Sequence, residues 1–336
     1  MKKPFLLSAA FLLITGWGIT PPSPFVNAQT PLIETIPDSA ESATEAKSTI
    51  VLLDPGAQPR QILRLQPAAN TKQTTVLTMN MDMTGAVDGQ VMPDVNMPAM
   101  QMIVESEVTQ VEANGDAHIK VTYTDVDVVS DTTAPPELIQ NLRSQLQQLQ
   151  DVTIEFVINQ QGITKDVDVS LPEDLDPNLQ QLLQQMLSSF EQLSAAPFPK
   201  EAVGVGATWQ VSSAVPVSGL PLDQVQVLYE VEDIKEDQVT LKMSMQQQSQ
   251  ESSQMNLPGT PPGVNFKIQS FGMQSAGTMT IGFDRIMPLQ GMMSTLSNME
   301  FLVTEPESEQ EKLMRMSSSM QIEMDSQSAV FRESLP

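Results

Sequence analysis

Val152-Thr153-Ile154-Glu155-Phe156-Val157-Ile158 leads into the polar turn Asn159-Gln160-Gln161-Gly162 and a second alternating run that ends at Leu171. Thr278-Met279-Thr280-Ile281-Gly282-Phe283, the turn around Asp284-Arg285, and the run on through Pro288 to Leu296 repeat that rhythm. Apolar–polar alternation with period two is the signature of a half-buried strand, and each stretch reads as a hairpin. The offset of 125 residues, Ile158 to Phe283, suggests two half-units of one β-rich fold.

Strand patterns fill the chain on either side of these hairpins. They cover Ile50–Leu53, Gln61–Leu65, Thr74–Met83, Met100–Val111 and Ala117–Val129, then Ala207–Val217, Gln224–Ile234, Gln238–Gln248 and Glu311–Ser326. Asn114-Gly115 joins the fourth and fifth, because both positions accept positive φ in a tight hairpin turn. The inward parity of the fifth switches near Asp125, which predicts a bulge. Pro135-Pro136-Glu137 opens a helix with Leu138, Leu142, Leu146 and Leu149 on one stripe. Pro172–Pro177 opens a second, with Leu179, Leu182, Leu183, Met186, Leu187 and Phe190 as its apolar face. The expected fold class is therefore mainly β (α+β): two tandem curved antiparallel β units, half-barrel-like, with two covering helices. The first unit spans 49–196 with both helices, the second 197–326, and 327–336 forms a C-terminal tail.

Residues 1–28 read as a signal peptide, with Lys2 and Lys3 ahead of the apolar run Phe5–Ile19 and a small-x-small site at Val26-Asn27-Ala28. That run is shorter than the ~20 residues a bilayer span needs. No second stretch approaches that length. The mature chain is thus expected to be exported, periplasmic or extracellular, without a transmembrane segment. A flexible arm at 29–48, rich in Pro, Ser, Thr and Glu without hydrophobic period, would precede the fold.

Composition narrows the function. Seventeen Lys and Arg against 41 Asp and Glu give a formal charge of −24, and cleavage at Ala28 would remove two lysines and no acid. Such a surface repels nucleic acid and anionic lipid head groups. The absence of cysteine removes disulfides, thiolate metal sites, Cys nucleophiles and a lipobox acylation site. With a single histidine, His118, neither a multi-histidine metal site nor a Ser/His/Asp arrangement can be assembled with conviction. The acidic pairs Asp125/Asp127 and Asp166/Asp168 and the group Glu173/Asp174/Asp176 lack the punctuated loop of an EF-hand. The expectation is a protein that is not an enzyme and carries no cofactor.

Methionine is the unusual residue, 22 in all, against an aromatic content of 4%. Met79, Met81, Met83, Met243, Met245, Met314 and Met316 follow strand parity and are the candidate lining of an apolar interior. Methionine adapts to irregular apolar space. The same Met-x-Met spacing places thioethers about 7 Å apart on one face, and soft sulfur also selects Cu(I). The partners considered are a lipid or other hydrophobic ligand, or an envelope protein. The alternatives are a surface interaction module without a small ligand, and a Met-based Cu(I)-binding protein.

Phe198-Pro199-Lys200-Glu201-Ala202-Val203-Gly204-Val205-Gly206-Ala207-Thr208-Trp209 carries a resemblance. Pro-x-x-x-Val-Gly-Val-Gly-x-x-Trp ahead of a strand resembles an uncharacterised family of exported bacterial β-rich proteins, a domain of unknown function. The resemblance implies a duplicated β-rich unit over roughly 50–326 and brings no catalytic residues with it. In layout the chain is also similar to half-barrel carriers of lipoproteins and glycolipids.

Overall fold

The computed structural model describes residues 49–92, 95–129, 136–150, 152–171, 197–213, 225–249, 253–255, 264–304 and 311–327. The signal peptide, the arm, the second helix expected after Pro177 and nearly all of the tail lie outside them. In chain order the strands are β1 Thr49–Asp54, β2 Thr71–Val87, β3 Gln90–Val91, β4 Val95–Asn96, β5 Met100–Val111, β6 Ala117–Val128, β7 Thr153–Ile158 and β8 Thr164–Ser170. They continue with β9 Thr208–Ser213, β10 Val225–Ile234, β11 Gln238–Ser249, β12 Ser253–Met255, β13 Asn265–Gly282, β14 Gln290–Thr304 and β15 Glu311–Gln327. Among the described residues one α-helix, α1, Pro136–Leu146, runs on into a 3₁₀ turn at Gln147–Leu149.

All 15 strands belong to one antiparallel sheet, ordered β1-β9-β10-β11-β13-β14-β15-β2-β5-β6-β7-β8, with β3 and β4 beside β2 and β12 beside β13. This corrects the expected tandem units. Both repeated hairpins form, β7–β8 and β13–β14, but the first closes one end of the sheet and the second sits in its middle. The last long strand joins the two stretches of chain: β15 pairs with β2 from Met314↔Val87 to Gln327↔Thr74. β1 crosses over to pair with β9 at the opposite end. A strand as long as β15 has two edges of N–H and C=O groups, and pairing only β14 would leave one row unsatisfied. Continuous pairing removes that cost.

The sheet curls so that its two ends share a core. Val104, Ile119, Ile154 and Phe156 from one end pack in the same cluster as Trp209, Tyr229, Val231 and Leu241 from the other. The turns of the two repeated hairpins meet there. The N–H of Leu65 donates to Gln160 O (2.8 Å) and that of Gln66 to Phe283 O (2.6 Å). Phe198 donates its N–H to Gln161 O (2.7 Å) and sets its ring edge-on to Phe283, with centroids 6.4 Å apart. Residues 61–65 are therefore not a ladder strand as expected. Apart from one bridge, Gln61↔Val203, this segment threads between the two turns and satisfies its backbone on their carbonyls. The Arg64 guanidinium fastens it by donating to Pro199 O (2.8 Å) and Lys200 O (3.0 Å).

The Val-Gly-Val-Gly-x-x-Trp stretch explains itself at this clasp. The Gly204 N–H donates to Pro55 O and the Ala57 N–H to Val205 O, both 2.9 Å. A Cβ on Gly204 would lie 1.9 Å from Ala57 O, and Gly206 adopts φ +81°. Trp209 is wholly buried, stacks on Tyr229 at 5.6 Å and donates its Nε1–H to Pro197 O (2.9 Å). An indole so placed keeps its polar edge satisfied.

Two other clusters hold the remaining surface. Phe266, Ile268, Phe271, Phe301, Val303, Met314 and Met316 pack at the far end of β13–β15. Leu142 and Leu146 of α1 cover Met100, Val126 and Val128. The register shift between the partners of Ile103 and Val104 leaves Thr124 unopposed, which is the bulge expected beside Asp125.

Candidate functional site

Directly opposed residues of an antiparallel pair point to the same side of the sheet, so the register alone defines the inner face. One cross-strand row reads Met245, Ser275, Thr295, Met320, Met81. A neighbouring row reads Met243, Gly277, Met293, Ile322, Met79, Met100, Val128. On the other side comes Gln247, Met273, Ser297, Ser318, Met83. With Met102, Met279, Met299, Met314, Met316 and Met324 on the same parity, fifteen of the methionines whose side chains are described share this face.

All seven methionines singled out from the sequence lie on it, and they divide by environment. Met314 and Met316 are core, 1% and 7% exposed among phenylalanines. Met83 packs against that same cluster, Met79 against the one beneath α1 and Met243 against the one around Leu241. Met81 and Met245 are half-buried and belong to none of the three clusters. The same holds for Met293, Met320, Met324 and Ile322, which sequence reasoning had not assigned to a lining. Parity marked Met320 and Met324 as sharing a side with Met314. Only the β15–β2 register reveals that Met320 stands opposite Met81.

Around the largest core, methionine use tracks incomplete burial. Of the 22 buried residues in the largest core cluster only Met279 is a methionine. In the half-buried strip every apolar residue except Ile322 is one. Ordering a methionine side chain costs about 1.5–2 kcal/mol of rotamer freedom, two to three times the cost for Ile or Leu. β-Branched residues also suit strands better. A half-exposed strip built from methionine forgoes rigidity for a surface that can reshape.

Electrostatically the two sides of the sheet are opposites. On β2, β5, β11, β13, β14 and β15 no acidic residue takes an inward position, and the inward cation is Lys312, at the far end beside Val303. The outer side carries the ion pairs Lys72–Glu105 (2.8 Å), Lys242–Glu232 (3.1 Å) and Arg315–Glu300 (2.7 Å). The Arg315 hydrogen bond holds the Glu300 carboxyl below the usual range. Inward hydroxyls satisfy one another: Ser275 with Thr295 at 2.8 Å and Ser297 with Ser318 at 2.7 Å. These hydroxyls thus make few demands on whatever covers the strip.

The other candidates from the sequence do not assemble. His118 is exposed and pairs its Nε2 with Glu112 Oε1 (2.8 Å) beside the Asn-Gly turn. Asp127 accepts from Arg143 Nε, and that bond holds its carboxyl low. Asp116 accepts from Lys165 Nζ (2.6 Å), next to Asp166 in the chain, while Asp168 stands opposite Glu155 on β7. The group at 173–176 lies outside the described residues. Among those described, no three His, Asp or Glu side chains gather to hold a metal ion. A groove of about 490 Å³ lies on the outer side of the same strands, between Val76, Thr78, Thr278, Thr280, Glu323 and Asp325. Met279, Met292 and Met324 join its lining, which mixes hydroxyl, carboxylate and apolar groups.

No protein-family model matches the chain, and no curated protein matches it. Among solved structures, a lipovitellin, solved for its lipid–protein interactions, aligns with a TM-score of 0.37 and 11% identity over 80% of this chain. The alignment spans 26% of the lipovitellin chain, so this protein corresponds to about a quarter of its length. The outer membrane protein OprG from Pseudomonas aeruginosa aligns over 79% of this chain and all of its own, with a TM-score of 0.21 and 8% identity. Both likenesses are weak, and neither speaks to what this chain binds. Among the described residues no helix is long and apolar enough to cross a membrane.

Proposed function

We propose that this chain is an exported, non-enzymatic binding protein whose inner sheet face receives the apolar chain of a lipid or lipid-like ligand. One observation carries the reading. The half-buried strip of Met81, Met245, Met293, Met320 and Met324 is apolar, free of carboxylates and built from the most adaptable apolar side chain, while the largest core cluster beside it uses Val, Ile and Leu with a single methionine. A surface meant only to fill itself would continue the pattern of that core. The acidic outer side supports the same division of labour, keeping the chain soluble and unattached to anionic membranes.

The test is a titration of the purified chain with the neutral fluorescent probe N-phenyl-1-naphthylamine, followed by displacement with a long-chain fatty acid and with a phospholipid. Saturable uptake at one site per chain and displacement by either acyl compound is the expected result. Absence of saturable uptake would remove the reading.

A further inference from the structure

A second property of the same face follows from sulfur rather than from apolar area, and it does not depend on the binding of an acyl chain. Met79, Met81 and Met83 alternate along β2 with every thioether inward, and Met320 of β15 stands directly opposite Met81. Opposed Cα atoms in such a pair lie about 4.5–5.5 Å apart, and diagonal neighbours about 7–8 Å. Each methionine has three rotatable bonds before its methyl group, so the sulfurs of Met79 and Met83 can close on the Met81–Met320 pair. All four side chains are half-buried. Met79 and Met83 pack against different core clusters on either side of the Met81–Met320 pair, so closing on it takes a rotamer change at each.

We propose that Met79, Met81, Met83 and Met320 form a thioether site for Cu(I). The chemistry of the donors selects the ion. A thioether is neutral and soft, so it offers little to Zn²⁺, Mg²⁺ or Ca²⁺, which seek thiolate, imidazole or oxygen ligands. No acidic side chain points inward from β2, β14 or β15 to supply hard oxygen. The nearest inward oxygens, those of Ser318 and Thr295, are engaged with Ser297 and Ser275. A net charge of −24 draws cations toward the molecule, and only a soft one finds ligands on this face. Three or four sulfurs without oxygen or nitrogen form the donor set that soft Cu(I) prefers. Binding here is a coordination event with no change of oxidation state.

The experiment titrates the full chain with Cu(I), kept reduced by ascorbate, in competition with the chromogenic chelator bicinchoninate. The chain is expected to withdraw one equivalent. X-ray absorption at the copper edge should show a sulfur-only shell of three or four atoms. M81L/M320L preserves apolar volume and removes the two central sulfurs, so its affinity should fall at least tenfold, while M245L, three strands away along the row, should leave it unchanged. Failure of the native chain to compete, a nitrogen- or oxygen-containing shell, or undiminished affinity in M81L/M320L would each overturn the site. If the double variant does not fold, the single variants M81L and M320L decide, each expected to weaken binding. Naphthylamine uptake is read on the same preparations. Copper loss with retained probe uptake isolates the metal site, and probe loss with intact copper binding strikes the acyl-chain reading instead.

Discussion

Placing carboxylates on the strip should abolish apolar binding while leaving the fold standing. Met81 and Met293 are half-buried, lie outside the three core clusters and sit two strands apart, so M81D/M293D adds two charges that do not face each other. A fully buried methionine side chain is worth about 1.5–3 kcal/mol, and roughly half of that is still to be gained when a ligand covers the exposed part. Together the two side chains contribute about 1.5–3 kcal/mol to binding, or ten- to hundredfold in affinity at about 1.4 kcal/mol per decade. Covering two carboxylates adds a desolvation cost of several kcal/mol per ion, so naphthylamine affinity should fall by at least a hundredfold. Stability should drop by about 1–2.5 kcal/mol per site, the half-burial already present plus the roughly 1 kcal/mol span of strand preferences. Met314→Ala is the converse. That side chain is 1% exposed between Phe301 and Val87, and its loss should cost about 2–5 kcal/mol of stability while probe affinity at 25 °C is kept. Probe titration and urea unfolding on the same preparations read both quantities. If M81D/M293D binds the probe as well as the native chain does, the strip is not the binding surface.

Other variants test the scaffold. Gly204→Ala forces a methyl group to 1.9 Å from Ala57 O, where only backbone can yield, and should lower stability by about 1–3 kcal/mol in denaturant unfolding. Trp209→Phe keeps the stack on Tyr229 but strips the Pro197 carbonyl of its buried donor, a loss of about 1–3 kcal/mol by the same assay. Burial pushes the Tyr229 hydroxyl up to about 12. Because the unfolded chain ionises near pH 10, the stability from keeping this phenol neutral is fully present below pH 10 and is lost as pH rises from 10 toward 12. Tyr229→Phe should flatten that alkaline decline, measured as unfolding midpoints from pH 9 to 12. An unchanged decline would show that other groups cause it.

Local chemistry was legible in the sequence. Asn114-Gly115, the turn at 159–162, the bulge beside Asp125 and the stripe Leu142, Leu146, Leu149 all depend on neighbours within a few residues. So does strand parity, which placed the seven methionines on one side. Long-range pairing was not legible. A period of two says which side a residue faces and nothing about which strand lies beside it, so the meeting of Met320 with Met81 leaves no trace in the sequence. The repeat misled for the same reason. Similar hairpins encode similar local structure, but the unpaired edges of β15 and β1 set the sheet order and merge the expected units. Residues 61–65 alternate as a strand does, yet the N–H groups of Leu65 and the adjoining Gln66 turn to the hairpin carbonyls at Gln160 and Phe283.

Native mass spectrometry of the chain purified from its native host tests the central claim most directly. The account predicts a population heavier than the polypeptide by the mass of one acyl-bearing molecule, released on collisional activation and missing from M81D/M293D prepared in the same way. A bare polypeptide mass from the native chain, with no acyl compound bound on addition, would contradict it.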